Sequence, residues 1–223
     1  MSDIELNVPE QKPKCHIVLI VDESGSMSDC RDATISSLKE KLDMIRSKAE
    51  EFILSVTVVY FSDTYRYIIY NKSIAFLEDF NIQRYLPNSS TALYDTCGEV
   101  IEHIRDLVDK DTNVLVDIIT DGEDNQSRKV TPESIKTLIE ILKSTGKWTF
   151  GFIGIGEKAF TEGKLHFGIN TTVRMAQANL VGSQRHFDTT NTAYKAYFHN
   201  VVTNSLSTGE LYSSENITEE PKK

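Results

Sequence analysis

A chain of 223 residues is long enough for one large domain or two small ones, with a sizeable buried core. Apolar residues make up 39% of it and charged residues 26%, the balance of an ordinary soluble domain. Its net charge of −9 disfavours nucleic acid as a partner, because phosphate backbones are held by broad basic surfaces, and no stretch reaches the ~18 consecutive apolar residues that a membrane-crossing helix needs.

Residues 1–14, MSDIELNVPEQKPK, show no basic stretch followed by an apolar run, so no signal peptide is expected. They read as a flexible polar arm. Residues 15–22, CHIVLIVD, form an almost continuous apolar run ending in an acid, the pattern of a strand buried on both faces. Ile35, Leu38, Leu42, Ile45 and Ala49 recur at helical spacing and predict an amphipathic helix over 29–50. The β-branched and aromatic run 52–61 predicts a second strand, and 65–74 a third. The turn Ser62-Asp63-Thr64 between them is too short for a parallel crossover, so the pair is predicted to be an antiparallel hairpin at a sheet edge.

A short helix is predicted over 77–86, broken by Pro87-Asn88-Ser89-Ser90. Leu93, Cys97, Ile101, Ile104 and Val108 line one face of a helix over 92–109. NVLVDIIT, 113–120, is another buried strand, followed by Asp121. Thr131-Pro132-Glu133 is a helix start, with Thr131 as N-cap and Pro132 in the first turn; this helix runs to about residue 144. Residues 148–155 predict a further strand. Residues 157–168 and 172–180 read as weakly helical, 184–188 as a short strand, 190–206 as a last helix and 208–223 as a disordered polar tail. Strands alternating with helices predict a single α/β domain over 15–207. Its sheet is doubly wound and mostly parallel, with one antiparallel edge strand and helices on both faces.

The three cysteines, Cys15, Cys30 and Cys97, are widely spaced and odd in number, which suits reduced thiols in the cytoplasm. The N-x-S/T sites at Asn71, Asn88, Asn125, Asn170 and Asn216 then read as chance.

Ligands of an open doubly wound sheet bind beyond the carboxyl ends of its strands, where the strand order reverses. Asp22 and Asp121 end two of the buried strands. Asp22-Glu23-Ser24-Gly25-Ser26 alternates hydroxyls around a glycine, and Ser89-Ser90-Thr91 opens a helix. If these loops converge, Asp22, Ser24, Ser26, Thr91 and Asp121 supply two carboxylates and three hydroxyls. Such hard oxygen donors suit Mg²⁺, Mn²⁺ or Ca²⁺ and not zinc or copper. The alternative is a polar turn at Ser24 and Ser26 and a helix cap at Thr91. Glu123, Asp124 and Asn125 either bind a second ion or rim the site, or form an exposed acidic loop beside it. Two ionised carboxylates side by side repel each other, and a bound cation is the simplest way to hold both charged.

Other motifs fail. GFIGIG has the wrong glycine spacing for a dinucleotide fingerprint, and no GxxxxGK[ST] loop or GxSxG elbow occurs. His16, His103, His166, His186 and His199 are scattered without HExxH spacing and read as core or surface residues. Cys97, on the apolar face of its helix, reads as buried.

DxSxS at Asp22–Ser26, a threonine at Thr91 and TDG at Thr120–Gly122 closely resemble the metal-ion-dependent adhesion site of von Willebrand factor A domains. The resemblance spans roughly residues 15–207. It implies the strand order 3-2-1-4-5-6 with an antiparallel edge strand, and metal ligation, directly or through water, by Asp22, Ser24, Ser26, Thr91 and Asp121. The last third of the chain is more similar to the intracellular von Willebrand A proteins of bacteria and their phages than to animal adhesion domains. The resemblance implies a non-enzymatic, metal-dependent interaction module. Its protein partner would supply an Asp or Glu to the ion, in an assembly such as one with an AAA+ ATPase. A metal-dependent phosphoester hydrolase is the alternative. Against it stands the lack of basic residues beside the three loops other than Arg31 and Arg128.

Overall fold

The computed structural model describes residues 11–76, 84–122, 124–175, 180–205 and 209–213. Its strands are β1 (Lys14–Asp22), β2 (Ile53–Phe61), β3 (Tyr65–Ser73), β4 (Asn113–Thr120), β5 (Trp148–Ile155) and β6 (Thr172–Met175). The helices are α1 (Arg31–Arg46), α2 (Leu93–Leu107), α3 (Pro132–Ser144), α4 (Glu157–Leu165) and α5 (Leu180–Val202). The six strands form one sheet in the order β3-β2-β1-β4-β5-β6. All pairings are parallel except that of β2 with the edge strand β3, which is antiparallel.

Both faces of the sheet are covered, which is why β1 and β4 read as mostly apolar runs. Alternate residues of β1 serve the two sides. Ile17, Leu19 and Val21 join Leu38, Leu42, Tyr194 and Phe198 of α1 and α5, while Val18 and Ile20 join Leu93, Ile101, Ile135 and Ile139 of α2 and α3. Cys97 is fully buried in that second layer, and all three cysteines are free and buried. α3 starts as its sequence predicts: Thr131 accepts from the Ser134 amide and Pro132 occupies the first turn.

Three elements differ from their sequence reading. Residues 172–175 form β6, not a helix, because Thr172 and Val173 are β-branched and complete the pairing of β5. Residues 184–188 lie inside α5 and not in a strand; the long α5 packs against α1. The helix predicted over 29–50 is a 3-10 turn at Gly25–Cys30 followed by α1, which ends at Arg46. The helix predicted over 77–86 lies largely outside the described residues.

The tail predicted over 208–223 is also corrected, for residues 209–213. The Phe150 amide donates to the Gly209 carbonyl at 2.9 Å and the Leu211 amide to the Phe150 carbonyl at 2.8 Å, beside β5. Glu210 accepts from Lys143 Nζ and from Thr171 Oγ1, each at 2.8 Å. Leu211 and Tyr212 are buried. The segment's apolar pair and its one paired acid are what composition averaged over a polar stretch hides. Residues 206–208 and 214–223 lie outside the described residues, as do residues 1–10 of the arm.

Beneath the sheet centre, on the α1 and α5 side, Lys41 Nζ and Asp117 Oδ2 lie 2.9 Å apart with both side chains almost fully buried. The hydroxyls of Tyr194 and Tyr212 donate to the same carboxylate oxygen at 3.0 and 2.9 Å. A Cβ at Gly151, on the neighbouring strand, would stand 2.6 Å from Asp117 Oδ1, so the buried acid requires a glycine beside it.

Candidate metal centre

β1 and β4 are adjacent central strands, and the chain leaves them in opposite directions, toward β2 on one side and β5 on the other. That reversal opens a crevice at their carboxyl ends, where Asp22 and Asp121 emerge. Asp22 is fully buried. One carboxylate oxygen accepts from the Ser24 amide at 2.7 Å and the other from Thr120 Oγ1 at 2.6 Å. The Tyr85 hydroxyl holds its main-chain carbonyl. Burial pushes the Asp22 carboxyl up to about 6, against the hydrogen bonds from Thr120 and Ser24, which lower it; the charge of Asp121 raises it further.

The hydroxyls bridge the two acids. Ser26 Oγ donates to Asp121 Oδ1 at 3.0 Å, and the Ser24 and Ser26 hydroxyls are 3.1 Å apart. Ser24 is buried and Ser26 exposed, so the row runs from the interior to the surface. The third loop is laced to the other two. The Gly25 amide donates to the Ser89 carbonyl at 3.0 Å, and the Asn125 and Gln126 amides both donate to the Thr91 carbonyl at 3.0 Å. Thr91 itself is 3% exposed, and its amide donates to Asn125 Oδ1 at 2.8 Å.

The acidic neighbours do other work. Glu23 is buried, its carboxylate taken up by the Arg66 guanidinium and the Leu86 amide. Asp124 accepts from the Leu93 amide at 2.8 Å and from Ser127 Oγ at 2.6 Å, capping the start of α2. Asn125 is the clasp on Thr91. These side chains shape the loops, so neither a second ion nor a purely solvated acidic loop describes them; Glu123 lies outside the described residues. Sequence reasoning missed Tyr85 and the capping role of Asp124, whose partners lie tens of residues away. Thr120 was inside the quoted TDG, but its role as donor to Asp22 was not visible there.

Among the described residues, no three His, Cys, Asp or Glu side chains cluster as metal ligands. The centre is instead two carboxylates completed by hydroxyls. That donor set fits a hard divalent cation: all oxygen, no thiolate or imidazole, and a buried carboxylate whose charge such an ion would offset.

No family model matches the sequence, and no curated protein is detectably similar to it. Solved structures are. A von Willebrand factor type A protein from Catenulispora acidiphila superposes with a TM-score of 0.59 at 19% identity, over 81% of this chain and 42% of that one. The vWF domain of the type V pili tip protein Mfa5 from Porphyromonas gingivalis gives 0.58 at 13%, over 90% and 99%. The manganese-loaded Plasmodium vivax TRAP protein gives 0.53 at 17%, over 78% and 73%. The chain has the von Willebrand factor type A fold. It spans less than half the length of the first of these structures. As a von Willebrand A fold it carries the antiparallel edge strand and the crevice between β1 and β4 in the places its sequence implies. No described helix is long and apolar enough to cross a membrane.

Proposed function

We propose that the chain is a protein-interaction module that holds one divalent cation, Mg²⁺ in the cell, at Asp22, Ser24, Ser26, Thr91 and Asp121, and docks a partner's Asp or Glu on it. The observation that carries this reading is the Ser24–Ser26–Asp121 row of oxygens standing beside the buried Asp22. It joins residues 95 positions apart through hydroxyls that bind each other and the Asp121 carboxylate. When bound, the ion supplies a Lewis-acidic site that a partner carboxylate completes by displacing water. Asp22 is locked by Ser24 and Thr120 and serves as the fixed anchor; Asp121, half-buried, is the ligand at the rim. The manganese carried by the Plasmodium vivax TRAP protein supports a divalent ion in this fold.

The paired Glu23 adds no net charge to the site, which leaves Asp22 and Asp121 to balance the ion. Gly122, which follows Asp121, is itself closely packed. Gly122 has φ +125°, and a Cβ there would stand 2.8 Å from the Ala159 amide nitrogen in the first turn of α4. Movement of Asp121 would therefore carry α4 with it.

Hydrolysis of phosphoesters draws no support from Arg31. Arg31 Nε donates to the Tyr85 carbonyl at 3.1 Å and its Nη1 to Asp32, so it does not face a transferring phosphoryl. Affinity purification in Mg²⁺ and in EDTA, read by mass spectrometry, tests the module. Partners retained equally in both would overturn metal-dependent docking.

A further inference from the structure

Arg128, singled out in the sequence beside the metal loops, has no role in the centre described above. Its main chain is pinned. The amides of Arg128, Lys129 and Val130 donate to the Asp95 carboxylate at 2.9, 2.9 and 2.7 Å. Its side chain is exposed, and the guanidinium has no hydrogen bond or ion pair among the described residues. It lines a cavity of about 400 Å³ between the β2–β3 turn, the first turns of α2 and residues 126–129. The other charges of that cavity are engaged. Asp95 is taken up by the three amides. Lys129 Nζ and Glu99 Oε1 pair at 2.7 Å, and Asp63 accepts from Ser62 Oγ at 3.1 Å. Arg128 therefore brings up to five N–H donors, set in a fixed fork, that no described side chain meets.

The cavity adjoins the metal centre. Ala92 lines it and follows Thr91 in the chain; Gln126 lines it, and its amide donates to the Thr91 carbonyl at 3.0 Å. Arg128 stands three residues beyond Asn125, whose amide meets that same carbonyl, so at most about 11 Å of chain separates its backbone from the Thr91 loop. Charge gives the two places a reason to act together. With Mg²⁺ bound, Asp22 and Asp121 balance the ion, and the chain as a whole carries −9. An approaching carboxylate then gains from the ion only on contact. An unpaired guanidinium beside it supplies the positive charge that draws an acidic segment in and orients it.

We propose that the Arg128 cavity is a second anchor for the partner of the metal centre, and that the partner presents two acids on one extended segment. One acid completes the ion, and the other is held by the Arg128 guanidinium in a bidentate pair. This rests on the metal-docking reading given above and adds to it the class of partner, a doubly acidic strand or loop. At about 3.3 Å per residue of extended chain, the second acid stands within about four residues of the first. A cavity of this size holds such a side chain together with its neighbours.

The test is selection of a phage-displayed library of random dodecapeptides on the full chain in Mg²⁺, with release by EDTA. Released peptides are expected to share two acids separated by no more than about three residues. A synthetic peptide of that sequence should bind about ten- to a hundredfold more weakly to Arg128→Ala, the loss expected of a hydrogen bond to a charged group. Exchanging its second acid for the amide should cost as much in the parent chain and nothing further in Arg128→Ala. Calorimetry should find the Mg²⁺ affinity of Arg128→Ala equal to that of the parent, because the guanidinium pairs with no described residue. Released peptides that share a single acid overturn the Arg128 anchor and leave the metal docking standing. So does a peptide that Arg128→Ala holds as tightly as the parent, or one whose second acid becomes an amide without loss. Peptides held equally by Asp121→Ala, or no peptide released by EDTA, overturn the metal docking and the second anchor with it.

Discussion

Ser26 Oγ donates to Asp121 Oδ1 at 3.0 Å, so a surface hydrogen bond that a cation would share joins the turn after β1 to the turn after β4. Asp121→Ala removes that bond and a carboxylate whose charge also disfavours ionised Asp22. Because Asp121 is only half-buried, stability should change by about 1 kcal/mol, or about 2–4 °C in melting temperature. Mg²⁺ binding measured by calorimetry should be lost. Mg²⁺ affinity equal to that of the parent chain would remove Asp121 from the ligand set.

The buried pair of Lys41 and Asp117 is expected to be the most sensitive polar feature of the core. Lys41→Met leaves Asp117 charged and buried, with only the two tyrosine hydroxyls for partners, and should cost about 3–5 kcal/mol. Adding Asp117→Asn keeps an acceptor for Tyr194 and Tyr212 but removes the stranded charge, so the double variant should recover part of the loss. Urea denaturation of the two variants and the parent measures both effects.

His16 sits in β1 at 1% exposure, between Ser55 Oγ at 2.6 Å and Thr57 Oγ1 at 3.0 Å. Burial lowers its folded pKa from 6.5 to about 4. The unfolded chain therefore takes up this proton first on acidification. The contribution is fully present above pH 6.5 and is lost as pH falls toward 4, at up to about 1.4 kcal/mol per pH unit and about 3 kcal/mol in all. Stability measured between pH 7 and 4 should fall less steeply in His16→Gln than in the parent chain.

Residues 209–213 are predicted to hold the far end of the sheet. A chain ended after Thr208 loses burial of Leu211 and Tyr212, worth about 1.5–3 kcal/mol each. It also strands Lys143 without Glu210. It should melt about 10 °C below a chain ended after Ser213. Equal melting temperatures would show that the docked segment contributes little.

The amino-acid sequence by itself determined the central strands, the hairpin edge, the start of α3 and the all-oxygen side chains of the loop after β1. These rest on local rules. A strand covered on both faces is apolar along most of its length, a three-residue turn cannot carry a crossover, Thr131-Pro132 presets a helix start, and an alternation of Asp and Ser offers only hard oxygens. Tertiary structure alone decided which polar groups meet. Glu23 and Asp22 are neighbours in the chain, yet successive side chains diverge at a strand end. Asp22 stays with Ser24 and Thr120, while Glu23 turns to Arg66. Lys41 reads as one more charge on a surface helix until Asp117, Tyr194 and Tyr212 arrive from three other segments to bury it. In the same way 172–175 became a strand because β5 needed a partner there, and 209–213 docked because Phe150 still had free backbone groups to pair. Periodicity and capping are written in a few neighbouring residues; the partner of a buried charge or an open strand edge is supplied from elsewhere in the chain, and only the folded arrangement names it.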